Sequence, residues 1–132
     1  MKNDTFIYDY IKYPVLPVRF HFGEKSTPLI DALLDSGGDF IVIPMPVARY
    51  LGLKLKKAGN VDTAGGTTSL FKANLNMYVG KNEKMALYKD IQIHVSERDD
   101  IPILIGRHPI FEDYEITFKK RENKLIFKLN NP

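Results

Sequence analysis

The stretch Leu33-Leu34-Asp35-Ser36-Gly37 places a carboxylate directly after two apolar residues. The apolar pair has the character of a buried strand, and the glycine permits a tight turn. The hydroxyl of Ser36 can hydrogen-bond a neighbouring backbone group and so fix the turn. This arrangement predicts a carboxylate held in one pose at the end of a strand. The Asp-Ser-Gly triplet alone is also typical of an ordinary strand-ending turn.

A second apolar strand candidate lies late in the chain, at Ile103-Leu104-Ile105-Gly106-Arg107. It ends in a glycine, and a cation follows directly. Taken alone, this pattern favours a core strand followed by a solvated arginine. Neither pattern assigns a function by itself, so the order and spacing of the surrounding elements matter.

The rest of the sequence predicts many short strands separated by turns, which is typical of all-β architecture. Leu16, Val18, Phe20 and Phe22 are apolar at period 2 and predict a half-buried strand. We expect one short helix over residues 47–51, which Gly52 would end, and a brief helix after Gly106. Further strands are predicted over residues 28–34, 71–79, 86–95 and 102–105, and a last hairpin over residues 114–119 and 124–129.

A glycine pair, Gly65-Gly66, lies within a polar stretch over residues 60–68, between two strand candidates. Glycine accepts the positive φ values that tight hairpin turns require. We therefore expect a β-hairpin whose tip lies between Ala64 and Thr67.

Length and composition fit one soluble domain spanning residues 1–132. The chain has 132 residues, of which 44% are hydrophobic and 27% are charged. It has no cysteine, which excludes a disulfide framework, a zinc-thiolate site and a cysteine nucleophile. The three histidines are scattered and lack metal-ligand spacing, so we expect no metal site.

The charge pattern argues against nucleic acid as a partner. The formal net charge is +3, and the cationic residues fall at predicted strand ends and turns, which is typical of a solvated surface. No apolar run approaches the roughly 20 residues of a membrane span. Polar residues also interrupt the N-terminal segment where a signal peptide would need a sustained apolar stretch. We expect a cytoplasmic protein with no membrane partner.

In order and spacing, these features resemble the retropepsin family, the single-lobe aspartic proteases of retroviruses and their cellular relatives. Asp35-Ser36-Gly37 matches the Asp-Thr/Ser-Gly active-site loop of the family, and the stretch from Ile103 to Arg107 matches its second element. Residues 40–53 resemble the strand and helix that follow that loop. The resemblance covers about residues 13–129, which it implies are the core of the domain. The resemblance implies a closed β-barrel with one or two short helices and a flap hairpin carrying Ala64, Gly65 and Gly66.

The resemblance also implies an activity, aspartic endopeptidase, with Asp35 as the catalytic residue of each chain. This chemistry needs two carboxylates, which a homodimer would supply from two copies of Asp35. The pair would activate a water that attacks the peptide bond of a polypeptide substrate, without a metal or other cofactor. Ser36 and Gly37 would support the active-site loop, and an ion pair between Asp39 and Arg107 would fix it.

Three positions depart from the commonest family pattern. Ser36 replaces threonine and keeps the hydroxyl, whereas Gly38 replaces alanine and is expected to loosen the loop. Asp62 adds an acid to the expected flap, where it would raise the pKa of a nearby dyad or discourage acidic substrates. Two other functions fit the same fold: a non-catalytic module that binds peptides or proteins, and an inactive dimerisation domain. In the binding module, Asp35 would be structural, whereas the dimerisation domain would self-associate without a functioning peptide groove.

Overall fold

The structure is a computed structural model that describes residues 5–63, 66–81 and 84–130, apart from the side chain of Thr63. The described residues form two sheets, one short helix and two brief helical segments. The strands are β1 (Thr5–Asp9), β2 (Val15–Phe22), β3 (Lys25–Ser26), β4 (Ile30–Leu34), β5 (Val42–Pro44), β6 (Lys56–Thr63), β7 (Gly66–Lys81), β8 (Lys84–Ser96), β9 (Leu104–Ile105), β10 (Tyr114–Lys119) and β11 (Lys124–Leu129). The helix α1 spans Met45–Leu51, and the helical segments span Arg107–Phe111 and Lys120–Glu122.

The larger sheet closes into a barrel. Its strand order is β3-β2-β4-β9-β5-β8-β7-β6, and an additional pairing between β2 and β7 joins the two sides. Six strands therefore form the closed ring, while β6 continues the sheet beyond β7 as an edge strand. The predicted all-β fold, a closed barrel with one or two short helices, is confirmed.

Strand β2 shows why this sequence closes around an apolar interior. Leu16, Val18 and Phe20 are almost completely buried, whereas Arg19 between them is exposed. Because side chains alternate between the two faces of a strand, period 2 directs one face into the barrel. Within the sheet, the strand forms hydrogen-bonded ladders with its neighbours β4 and β7.

The helix α1 follows β5 without a break. Pro46 lies in the first turn, where its missing N–H costs no helical hydrogen bond. Gly52 ends the helix with φ of 72°, a left-handed conformation that glycine adopts without strain. The predicted helix is confirmed and starts two residues earlier than expected. Strands β4 and β9 start two residues later than expected, after Pro28 and Pro102, which lack the N–H needed for a sheet ladder.

The smaller sheet has the order β1-β11-β10. The predicted C-terminal hairpin is present with the expected bounds, from Tyr114 paired with Leu129 to Lys119 paired with Lys124. Strand β1 was not predicted, because Asn3, Asp4 and Asp9 interrupt its short apolar pattern. It pairs along β11 and buries Phe6 against the ring of Tyr114, with centroids 5.9 Å apart.

The flap hairpin consists of β6 and β7, which pair from Lys56 opposite Lys72 to Thr63 opposite Gly66. Its predicted tip is residues 64–67, of which Ala64 and Gly65 lie outside the described residues. Gly66 starts β7 with φ of 113°. Every described side chain of β6 is exposed, so this strand adds nothing to the core.

Candidate active site

Asp35 lies at the end of β4, where the two sequence features meet. Strands β4 and β9 pair in parallel, with Leu33 opposite Leu104 and Leu34 opposite Ile105. The backbone N–H of Asp35 donates to the carbonyl of Ile105 at 2.9 Å. The fold thus joins two segments that lie about seventy residues apart in the chain.

The loop after β4 is a tight turn built around the Asp35 carboxylate. The N–H of Gly37 donates to Oδ1 of Asp35 at 3.1 Å, and the N–H of Gly38 donates to the Asp35 carbonyl at 3.2 Å. Asp35 is half-buried, while Ser36 and Gly37 are exposed. Within the described residues the Ser36 hydroxyl has no hydrogen-bond partner. The turn therefore orients the carboxylate and presents its outer rim to solvent.

Gly106 allows the two segments to cross. A Cβ on Gly106 would lie 2.3 Å from the carbonyl oxygen of Phe40 and 2.7 Å from its backbone nitrogen. Backbone atoms cannot yield as a side-chain tip can, so any larger residue would push the segments apart. The glycine of the second motif is needed for this close approach, which its sequence neighbours alone do not reveal.

Contacts with Arg107 fix the end of the loop that follows Asp35, at Gly38 and Asp39. The backbone N–H groups of Arg107 and His108 donate to the carbonyls of Gly38 and Asp39, both at 2.9 Å. The Arg107 guanidinium bonds the Asp39 carboxylate, and its Nε lies 3.3 Å from the Gly38 carbonyl oxygen. The ion pair implied by the family resemblance is thus present. Both side chains are more than half exposed, so it contributes little to stability, typically below about 1 kcal/mol.

Gly38 lies directly against the catalytic candidate. A Cβ at this position would sit 3.1 Å from Oδ2 of Asp35. The expectation that Gly38 loosens the loop stays a prediction. The contact shows that the residue type here controls the space around the carboxylate.

A cavity of about 690 Å³ lies beside the loop. It is lined by Ser36, Asp39, Phe40, Arg107, His108, Phe111 and Glu112. Asp35 is not among these residues. The cavity combines aromatic walls with charged groups, which is the composition of a side-chain binding pocket.

Phe40, which lines this cavity, contacts the rings of two histidines. Its ring centroid lies 4.7 Å from that of His94 and 6.0 Å from that of His108. The ring of His108 also bonds the Glu112 carboxylate. Burial lowers the pKa of His94 below its usual 6.5, and the positive charge of Lys72 lowers it further. Sequence reasoning treated the histidines as ordinary positions, because their contacts come from segments far apart in the chain.

Exposed hydrogen bonds between side chains join the two strands of the flap in its described part. The Thr67 hydroxyl donates to Oδ1 of Asp62 at 3.1 Å, and the Ser69 hydroxyl donates to Oδ1 of Asn60 at 3.2 Å. Among the described residues, no hydrogen bond joins the flap to Asp35. The predicted effect of Asp62 on a dyad stays a prediction.

The described residues also bear on metal binding and on membrane spanning. In residues 5–63, 66–81 and 84–130, no group of three or more His, Asp or Glu side chains could hold a metal ion. None of the described helices is long and apolar enough to cross a membrane.

Comparison with known proteins identifies the family. Residues 17–108, more than two thirds of the chain, match the family model described as aspartyl protease. The chain therefore belongs to the aspartyl protease family. A comparison with curated protein sequences found no match.

Solved structures agree with the retropepsin-like architecture. A retropepsin-like aspartic protease from Rickettsia conorii is similar with a TM-score of 0.67 and 22% identity, over 92% of this chain and 97% of that one. EIAV protease, in a complex with an inhibitor, is similar with a TM-score of 0.55 and 18% identity, over 80% of this chain and 91% of that one. At these identities the likeness concerns the fold.

Proposed function

We propose that this chain is an aspartic endopeptidase that works as a homodimer, with the Asp35 carboxylates of two copies forming the catalytic pair. The observation that carries the proposal is the Asp35 loop: it holds one oriented carboxylate, and its rim at Ser36 and Gly37 is exposed. Membership of the aspartyl protease family supports the reaction type.

The other described carboxylates around the loop already have partners, including Glu112, which bonds His108. Asp39 is engaged by Arg107, and Asp62 accepts a bond from Thr67 on the flap. A two-fold axis beside Ser36 would bring the second copy of Asp35 opposite the first. The Ser36 hydroxyl, which has no partner in the described part of this chain, would then bond to the loop of the other copy.

The mechanism follows from two carboxylates in close contact. Like charges about 3 Å apart cannot both ionise readily, so the pair shares one proton. The ionised Asp35 would accept a proton from a water as it attacks the scissile carbonyl carbon. The protonated Asp35 would donate to the carbonyl oxygen, and a carboxyl proton would later pass to the leaving amine. The balance needs only water and the peptide.

The fold also offers a way to hold an extended substrate. Strand β6 is the edge of the larger sheet, and its described side chains are exposed. Unpaired backbone groups on an edge strand can pair with an added strand. We propose that the flap hairpin closes over a polypeptide substrate and contributes backbone pairing of this kind.

The test is cleavage of a diverse peptide mixture from acidic to neutral pH, followed by mass spectrometry. Asp35→Asn should abolish cleavage while the protein stays folded, because the amide still accepts the Gly37 hydrogen bond. Asp31→Asn, an exposed change on the same strand, should retain it and controls for the loss of one charge. Equal cleavage by wild type and Asp35→Asn would refute the role of Asp35. No cleavage by a folded, dimeric wild type would favour a non-catalytic binding module.

A further inference from the structure

A second cleft is lined by residues of β2, β6, β7 and β8 and by none of the active-site residues. Its volume is about 310 Å³. We call it the lysine cleft; it is lined by Phe22, Lys54, Lys56, Lys72, Ala73, Asn74 and Gln92. Three lysines and two residues with side-chain amides therefore line one small depression.

Sheet register places the cations of the lysine cleft side by side. Lys56 of β6 lies opposite Lys72 of β7, and Lys72 lies opposite His94 of β8. Residues directly opposite each other have Cβ atoms about 5 Å apart, and like charges in such pairs destabilise a sheet. Lys54 adds a third ammonium from the connection between α1 and β6.

The described carboxylates do not form ion pairs with these lysines. Lys54, Lys56 and Lys72 form no ion pair within residues 5–63, 66–81 and 84–130. Asp90 contacts the lining, where its carboxylate accepts from the Asn74 amide at 3.2 Å and offsets part of the charge of the three lysines. Burial lowers the pKa of His94, and the positive charge of Lys72 lowers it further.

We propose that the lysine cleft binds a small phosphate-bearing anion. The ammonium groups of the three lysines match the charge of a phosphate, which lysine binds as a point charge. The Gln92 amide adds a neutral donor, and Phe22 provides one apolar wall. The volume lies at the lower end of ligand sites, which favours a small free ligand over a polymer.

Anion binding here would join separate elements at the base of the flap. Lys54 precedes β6, Lys56 begins it, and Lys72 lies on β7. A bound anion would offset the repulsion between these residues. A ligand that binds only the folded state raises the melting temperature of the protein. Binding should therefore appear as thermal stabilisation.

The test uses inorganic pyrophosphate as the probe, added to the full chain at constant ionic strength with sodium chloride as the matched salt. We expect pyrophosphate to shift the backbone amide NMR signals of Lys56, Lys72 and Gln92 and to raise the melting temperature. Lys72→Gln should weaken the measured Kd by about fivefold or more, because it removes a charge-assisted contact. The double variant Lys56→Gln/Lys72→Gln should lose the thermal shift.

Lys128→Gln is the control, because it removes the same charge from β11 in the other sheet. It should bind pyrophosphate like the wild type. An equal loss in Lys128→Gln, or an equal effect of sodium chloride, would reduce the effect to bulk charge screening and overturn the proposal. Lysine-dependent binding to vesicles containing a phosphoinositide, without binding of free pyrophosphate, would assign the lysines to a membrane surface and also overturn it.

Discussion

The active-site loop and the flap hairpin are held by different kinds of contact. The loop is fixed by backbone hydrogen bonds at both ends, from Asp35 to Ile105 and from Arg107 to Gly38. The flap strand β6 has no buried described side chain and is supported by its ladder with β7 and by exposed side-chain bonds. Regions with few buried contacts open at low free-energy cost. The difference fits the proposed function, in which a fixed carboxylate works with a flap that opens and closes.

The largest effect on stability is expected from Gly106→Ala. The new Cβ would overlap the backbone of Phe40, so we expect the free energy of unfolding to fall by about 3 kcal/mol. Gly37→Ala is the control, because its Cβ would meet Oδ1 of Asp35 at an ordinary 3.4 Å. Chemical denaturation measures both. If Gly106→Ala unfolded at the wild-type denaturant concentration, the loop would not depend on this crossing.

Arg107→Met separates positioning of the loop from stability. The exposed ion pair with Asp39 should contribute at most about 1 kcal/mol to folding. Loss of the loop contact should lower the rate of peptide cleavage by about tenfold, because small misplacements of a catalytic group are costly. Arg98→Met is the control, since it breaks the Arg98–Asp100 pair outside the loop. A parallel loss of activity in both variants would contradict a positioning role for Arg107.

His94 links the two regions, because it contacts Phe40 after the loop and lies opposite Lys72 of the flap hairpin. Its pKa in the folded protein is lowered below 6.5, mainly by burial and then by Lys72, while Asp39 opposes the change. The unfolded chain therefore binds the proton more readily, and His94 reduces stability as pH falls through about 6.5. His94→Gln should flatten this part of the stability profile, measured by urea unfolding at several pH values. His21→Gln, with His94 intact, should leave it in place.

The smallest effect is expected in the flap. Thr67→Val removes an exposed bond to Asp62 and should change the free energy of unfolding by less than about 0.5 kcal/mol. Amide hydrogen exchange should quicken in β6 and stay unchanged at Asp35 and Ile105. Thr117→Val, on β10 of the smaller sheet, serves as the control. Faster exchange at the active-site loop would mean that the two regions open together.

The sequence predicts those parts of the fold whose signals are local. The C-terminal hairpin and the helix before Gly52 follow from period 2 and from glycine and proline positions close in the chain. Strand β1 was missed because its three apolar residues, Phe6 to Tyr8, are consecutive and too few to show a period between polar neighbours. Its partner β11 lies more than a hundred residues away.

In the candidate active site, too, the features with a local sequence signal could be predicted. The Asp35 loop and the Asp39–Arg107 pair were expected from motifs and their resemblance to a family. The contact of Gly106 with Phe40, and the grouping of His94 and His108 around Phe40, depend on distant segments meeting. Three-dimensional proximity of this kind leaves no pattern in a single sequence.

The central claim is that two copies of Asp35 form one catalytic site, and subunit mixing tests it most directly. Wild type and a ninefold excess of Asp35→Asn are unfolded together, refolded and assayed for peptide cleavage against wild type treated alone. Random pairing places most wild-type chains with an inactive partner, so we predict that activity per wild-type chain falls to about one tenth. Unchanged activity per wild-type chain would show that a single Asp35 is sufficient and would contradict the account.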